Sequence, residues 1–273
     1  MQLSLSEKNR LANQYGPWAV VTGASSGMGR ELAICLAEAG FKLVLTARRN
    51  TLLDALATEL KTRYQTETQV IAADLSEEAG VYKVFEATAN LEVGLLIAAA
   101  GFGTSGDFLK SSLPEELEML HLNCKGLFLF THHYSLQFAK QGRGGIILLS
   151  SIVSFQGVPY AAHYAATKAY VQSLAEALSI ELKPQGVDLL AAAPAPVYSD
   201  FAARAGMQMG MAMKPADVAV PILKALGRKT TVLPGFLTRL LVGSLRTLPR
   251  WGKIQVMKQV MGGMTAGKRK PNC

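Results

Sequence analysis

Cysteine is scarce in this 273-residue chain: Cys35, Cys124 and Cys273 are odd in number and far apart. That pattern supports neither a disulfide framework nor a zinc cluster, and no metal site is expected. It suits a reducing compartment, so a cytoplasmic location is expected. Charged residues make up only 18% and apolar residues 49%, which excludes a disordered chain and allows one α/β domain with a sizeable core. No run of eighteen uncharged apolar residues occurs, so no membrane-spanning helix is expected. The opening segment, MQLSLSEKNRLANQYG, is polar and has no signal-peptide core. Acidic residues are missing from Lys224 onward, where eleven Lys or Arg stand. The net charge of +8 therefore belongs to the last fifty residues, and what precedes them carries −3. A basic tail on a slightly acidic body does not predict a nucleic-acid partner.

Short apolar runs alternate with helical patterns from about residue 16 onward. Strands are expected at Trp18–Thr22, Lys42–Thr46, Gln69–Ala72, Gly94–Ala98, Gly145–Leu149, Val187–Ala191 and near Thr231–Leu233. Helices are expected over 27–39, 50–63, 76–89, 114–140, 160–183 and 215–226, with Pro114 as a start signal and Gly40, Gly186 and Gly227 as stops. This alternation predicts a doubly wound parallel sheet of about seven strands with helices on both faces. Residues 1–235 form the expected nucleotide-binding and catalytic domain, and 236–273 a basic amphipathic extension.

Two stretches carry chemistry. The turn Thr22-Gly23-Ala24-Ser25-Ser26-Gly27-Met28-Gly29 lies between the apolar run WAVV and a helical pattern that ends at Gly40. Strand, glycine turn and helix together predict a phosphate cradle. Glycine permits close backbone approach, and a helix N-terminus offers free N–H groups and a positive dipole. The second stretch is LLSSIVSFQGVPYAAHYAATKAY. Tyr164 and Lys168 are four apart and share one helix face. An ammonium beside a phenol lowers the phenol pKa and fits it for acid–base work near neutrality. Ser151 closes the buried run IILLSS, where a hydroxyl can point into the ligand crevice.

These motifs resemble the short-chain dehydrogenase/reductase family over roughly residues 15 to 235. TGASSGMG matches its TGxxxGxG cofactor motif. Ser151, Tyr164 and Lys168 match its catalytic serine and YxxxK, with tyrosine thirteen positions after serine. Asn123 in HLNCKGLF matches its catalytic-helix asparagine, and Asp74 in AADLS the aspartate that contacts adenine. The resemblance implies a Rossmann fold and hydride transfer between a nicotinamide and a carbonyl or alcohol carbon. It also implies a homodimer or homotetramer. It assigns catalysis to Ser151, Tyr164, Lys168 and Asn123. Tyr164 would exchange the proton, Ser151 orient the oxygen, Lys168 lower the tyrosine pKa and hold the ribose, and Asn123 place a water. The cofactor would meet Gly23, Ser25, Ser26, Gly27, Met28, Gly29, Arg48, Asp74, Leu75, Ala100, Gly101, Tyr164, Lys168, Pro194, Val197 and Ser199.

The chain departs from the family pattern twice. Ala98-Ala99-Ala100-Gly101 stands where Asn-Asn-Ala-Gly is usual, and Pro194-Ala195 where Pro-Gly is usual. The first change removes amides that tie neighbouring strands and line the cofactor pocket; the second puts a less permissive residue in the nicotinamide loop, which is expected to differ there. Ser199 replaces the usual threonine and keeps its hydroxyl. The second strand ends LVLTARRN, with Ala47 where NAD-preferring relatives place an acid. Arg48 and Arg49 follow, and a guanidinium suits a 2′-phosphate, so NADP (NADPH) is the expected cofactor, with Arg48 the preferred contact.

Four further groups are set aside from the chemistry. Tyr160 lacks a lysine four ahead and is read as pocket wall or surface. His163 points away from Tyr164, and Ser150 lies on the other side of its strand. His132 and His133 have no accompanying metal ligands. Met207, Met209, Met211 and Met213 alternate with small residues and read either as a mobile lid over a hydrophobic carbonyl or alcohol substrate, or as ordinary loop packing. Leu237, Leu241, Leu245 and Leu248 form a helical stripe opposite Arg239, Arg246 and Arg250. That helix can pack on the body or a partner subunit, lie on an anionic membrane, or meet an acidic partner. A non-catalytic NADP-binding sensor is the alternative to an enzyme.

Overall fold

The computed structural model describes residues 2–199, 201–207 and 212–265. Met209, Met211, Cys273, the end GKRKPNC and the side chains of Leu237 and Arg246 lie outside what it describes. Seven strands, β1 (Trp18–Thr22), β2 (Lys42–Ala47), β3 (Thr68–Ala72), β4 (Val93–Ala98), β5 (Gly144–Leu149), β6 (Val187–Ala192) and β7 (Thr231–Val232), form one parallel sheet. Their order is β3-β2-β1-β4-β5-β6-β7. The strands β1, β4, β5 and β6 are buried along their whole lengths, which is why, Thr22 and Asp188 apart, their sequences are apolar rather than alternating. The winding reverses between β1 and β4, and a doubly wound sheet opens a ligand crevice at the strand ends there.

The helices are α1 (Leu5–Tyr15), α2 (Gly27–Glu38), α3 (Asn50–Tyr64), α4 (Glu78–Thr88), α5 (Leu113–Leu120), α6 (Leu127–Gln141), α7 (Ala162–Glu181), α8 (Phe201–Ala205), α9 (Pro215–Ala225), α10 (Phe236–Arg246) and α11 (Arg250–Met264). Leu11 of α1, Leu32 of α2, Leu53 of α3 and Ile222 of α9 share one apolar core with the sheet. Val84 of α4, Phe130 of α6 and Val171 of α7 share a second. A doubly wound sheet has two such layers, one on each face. Among the described residues, no helix is long and apolar enough to cross a membrane.

Three features depart from the sequence expectation. The polar opening segment forms α1, started by the Ser4 hydroxyl on the Glu7 N–H at 3.3 Å. Only Leu11 and Tyr15 of α1 are buried, too few to leave a periodic signal. The expected helix 114–140 is interrupted by a π turn at His121–Gly126. The wide turn brings Gly126 against β3's following loop, where a Cβ would sit 2.3 Å from the Leu75 carbonyl oxygen. The leucine stripe of α10 is only part of its inner face. Thr238 and Val242 are buried and Leu245 packs on the Phe102–Tyr164 cluster, while Leu241 and, beyond the helix, Leu248 are exposed. Thr238 lies against Met213, with Oγ1 3.8 Å from Sδ.

Candidate active site

Backbone proximity shapes the first half of the site. Gly23 has φ of 69°, and a Cβ there would come within 2.8 Å of the Ala100 backbone. A Cβ on Gly29 would sit 2.4 Å from the Gly23 carbonyl oxygen. Only glycine fits either place without moving backbone. The N-cap of α2, Ser26, makes no side-chain cap bond, so the helix N-terminus opens toward the crevice. The Thr22 hydroxyl accepts the N–H groups of Ala99 and Ala100, both at 3.0 Å. Thr22 thereby ties β1 to the end of β4, where the family's amides are missing.

On α7, Tyr164 and Lys168 lie one turn apart, both buried. The ammonium of Lys168 is 5.9 Å from the Tyr164 ring centre and donates to the Leu149 carbonyl at 2.7 Å. Burial pushes the Tyr164 phenol up to about 12, opposed by its hydrogen bond with Ser151. Burial also pulls Lys168 down to about 8. The expected lowering of the tyrosine by the lysine is therefore not realised here. Desolvation dominates at the phenol, and the ammonium is committed to a carbonyl at the end of β5. Tyr164 is a protonated donor across the neutral range. The Ser151 hydroxyl accepts the Val153 N–H at 3.4 Å and starts the short 3₁₀ turn Ile152–Phe155.

The π turn carries Asn123, whose amide is fully used. Its Oδ1 accepts from the Phe102 N–H at 3.1 Å, and its Nδ2 donates to the Phe102 carbonyl at 2.8 Å and to Thr167 Oγ1 at 3.0 Å. A Cβ on Gly101 would meet Asn123 Oδ1 at 2.8 Å and Lys168 Nζ at 3.6 Å. In the structure Asn123 fixes the Gly101–Phe102 turn beside the lysine, from behind the wall.

These parts face one cavity of about 750 Å³. Every residue expected in the site lines it except Asn123. At its polar end, Arg48 Nη1 donates to Glu118 at 2.7 Å and lies 3.7 Å from Asp74. Burial would raise the Asp74 carboxyl, but hydrogen bonds from Ser76 and the Arg48 charge hold it below its ordinary value. Arg49 lines the cavity as well and donates to Ser26 Oγ at 2.8 Å and Ser25 Oγ at 3.2 Å. Arg49 is thus in place beside Arg48, although the sequence reading preferred Arg48.

The other end is apolar and draws on residues the sequence reading did not select. Phe201 of α8 lies with its ring centre 5.4 Å from that of Tyr164. Arg204 lies 3.4 Å over the Phe102 ring and donates to Glu118 at 2.9 Å. Met257 and Met261 of α11 are buried in one cluster with Phe102, Met119 and Tyr164. With Met264 they recur at helical spacing, a second methionine stripe that was legible in principle. Met207 and Met213 line the cavity too. Met213 is bridged to Val197 and bonded to Pro196 and Tyr198, which is loop packing rather than a free lid at that residue. Ser150 donates to the Lys168 carbonyl at 3.2 Å, and His163 pairs with Glu116 at 2.7 Å. Tyr160, with φ of 66°, sits before α7 and is packed against the Phe102–Tyr164 cluster.

The short chain dehydrogenase family model matches residues 17–209. The chain is similar to 7beta-hydroxysteroid dehydrogenase of Clostridium sardiniense: 31% identical over 230 residues, covering 83% of this chain and 88% of that one. A solved structure described by its work on 7beta-hydroxysteroid dehydrogenase stereoselectivity superposes with a TM-score of 0.84 at 26% identity, covering 90% of this chain and 98% of that one. A short-chain dehydrogenase from Sphingobium yanoikuyae in complex with NADPH gives a TM-score of 0.76 at 28% identity, covering 85% and 94%.

Proposed function

The chain belongs to the short-chain dehydrogenase family, an oxidoreductase of carbonyl and alcohol groups, and on that premise we propose that it is an NADP(H)-dependent reductase of bulky hydrophobic ketones. The observation that carries this reading is the position of buried Tyr164. It stands where a glycine-built polar crevice meets a methionine- and phenylalanine-lined apolar one.

The polar end fits a dinucleotide. Gly23 and Gly29 leave backbone room that any side chain would fill, α2 presents an open N-terminus, and Arg48 and Arg49 offer cations for a 2′-phosphate. The nicotinamide would supply the hydride. Tyr164 gives its phenolic proton to the carbonyl oxygen as that oxygen becomes a hydroxyl. Ser151 hydrogen-bonds the same oxygen and aligns it. Lys168, one turn from Tyr164 and anchored on the Leu149 carbonyl, would hold the nicotinamide ribose and set the local field. These roles separate into proton transfer, orientation and electrostatics. The alcohol direction uses the same groups in reverse, with Tyr164 as base.

The apolar end supports a large apolar substrate, in line with the hydroxysteroid relative. The same reading takes residues 1–235 as the catalytic body and 236–273 as an extension that completes its cavity. It places the protein in a reducing cytoplasm as a homodimer or homotetramer, which light scattering would check.

The test is NADPH consumption across steroid ketones, ketoacyl thioesters, quinones and small aldehydes, with NADH in parallel and Tyr164→Phe beside the native chain. Turnover that prefers NADPH and bulky ketones and vanishes in the variant is expected. NADPH binding without turnover on any carbonyl would overturn the reading in favour of a sensor.

A further inference from the structure

Helices α10 and α11 wall the cavity with their inner residues and turn an apolar surface outward. Thr238, Val242, Met257 and Met261 face in and are buried. On the outside, Phe236 is 75% exposed, Trp251 71% and Leu240 55%. Leu241 and Val260 belong to both surfaces: they are 43% and 48% exposed, yet both line the cavity. The apolar wall around the substrate end therefore continues onto the outer face of these two helices.

The charge that these two helices carry has one sign. The helices carry Arg239, Arg250, Lys253 and Lys258, and no acidic residue occurs from Lys224 to the end of the chain. Large apolar side chains clustered in water mark an interaction surface. An apolar protein partner would cover Phe236 and Trp251 but leave the cations unmatched. A second copy paired through this same face would bring cations against cations. An anionic bilayer matches both properties, with hydrocarbon for the apolar side chains and phosphate headgroups for the cations. Tryptophan also favours headgroup depth.

We propose that α10 and α11 dock the protein on an anionic lipid surface, with the Leu241–Val260 rim of the cavity turned toward the bilayer. A lipid-soluble ketone would then enter from the membrane rather than from water. Entry of substrate rests on the oxidoreductase reading; docking does not.

Co-sedimentation of the full chain with phosphatidylcholine vesicles, with and without phosphatidylserine, tests the docking. Two triple variants avoid the buried cluster: Phe236→Ser/Leu240→Ser/Trp251→Ser and Arg239→Glu/Arg250→Glu/Lys258→Glu. Binding should require phosphatidylserine, weaken with salt, and fall by at least about tenfold in each variant, since a cation near an anionic surface contributes about 1 kcal/mol. Tyr164→Phe should bind vesicles as well as the native chain, so a failed catalytic reading leaves the docking result readable. Equal binding to both lipid compositions would overturn the proposal. So would absence of vesicle binding; a dimer, seen by light scattering, that the serine variant dissociates would then make the face a subunit interface. If docking holds, a steroid ketone preloaded in phosphatidylserine vesicles should be turned over several-fold faster by the native chain than by the serine variant. Equal turnover would remove the membrane-entry part.

Discussion

The two ends of the cavity are built by different means. The phosphate cradle of the polar end is made of backbone: the Gly23–Gly29 turn, the start of α2 and the alanines held by Thr22. The apolar end is made of side chains from Phe102, Phe201, Met213, Met257 and Met261, spread over more than 150 positions of sequence. Backbone surfaces tolerate almost no substitution, because a single Cβ collides. Side-chain surfaces tolerate repacking, and methionine most of all. One end is therefore suited to a constant ligand and the other to a variable one.

Tyr164 stands at the junction, and its removal should have the largest effect on turnover. Tyr164→Phe deletes the proton donor while keeping the ring against Phe201. Turnover should fall about a thousandfold, with NADPH affinity within a few-fold of native by fluorescence titration. Retained turnover would mean that some other group supplies the proton.

Gly29→Ala strikes the backbone-built end. Its Cβ would press on the Gly23 carbonyl, so stability should drop by about 2 kcal/mol in urea unfolding. NADPH affinity should drop with it, by roughly tenfold, as the turn opens. Met257→Ala/Met261→Ala strikes the other end. It should cost about 2 kcal/mol per site and raise KM for a bulky ketone, yet leave NADPH affinity alone. If the methionine pair weakened NADPH as much as Gly29→Ala does, the two ends would not be separable.

Legibility in the sequence follows the same division. The glycine turn, the YxxxK pair and the seven strands could be read from short windows, because each is dictated by local geometry. The α11 methionines could not be placed so easily. Their spacing is helical, but nothing local says that they reach back to Tyr164 across almost a hundred residues. Asn123 was legible by type, but its use was not: the π turn that carries it leaves no periodic signal, and its partners Phe102 and Thr167 are distant. The tyrosine pKa is not legible from spacing for a related reason. Spacing shows that Lys168 is near, whereas burial and the Leu149 carbonyl decide where its charge acts.

Lys168 yields a pH signature that belongs to the junction alone. Its pKa of about 8 lies below the ordinary 10.5, so the folded state binds this proton less readily than the unfolded state. The cost of burying the charge is present in full below pH 8 and is relieved as pH rises from 8 to 10.5. Stability of the native chain minus that of Lys168→Met should therefore rise with pH across that window in urea titrations. A flat difference would place the lysine titration elsewhere.

The smallest effect should come from Glu118, which touches both ends at once. Its Oε1 accepts from Arg48 at the polar end and from Arg204, on α8, at the apolar end. With Asp74 also near Arg48, two carboxylates compete with a 2′-phosphate for the same guanidinium. Glu118→Gln removes one competitor and its repulsion while keeping a hydrogen-bond acceptor. Exposed pairs of this kind contribute at most about 1 kcal/mol, so NADPH should bind up to about fivefold more tightly at low salt, and NADH unchanged. Added salt should shrink the gain. Equal tightening of both cofactors would show that Glu118 acts by holding the α8 segment through Arg204 rather than by contending for Arg48, and the boundary between the two ends would then run through the cofactor-binding half.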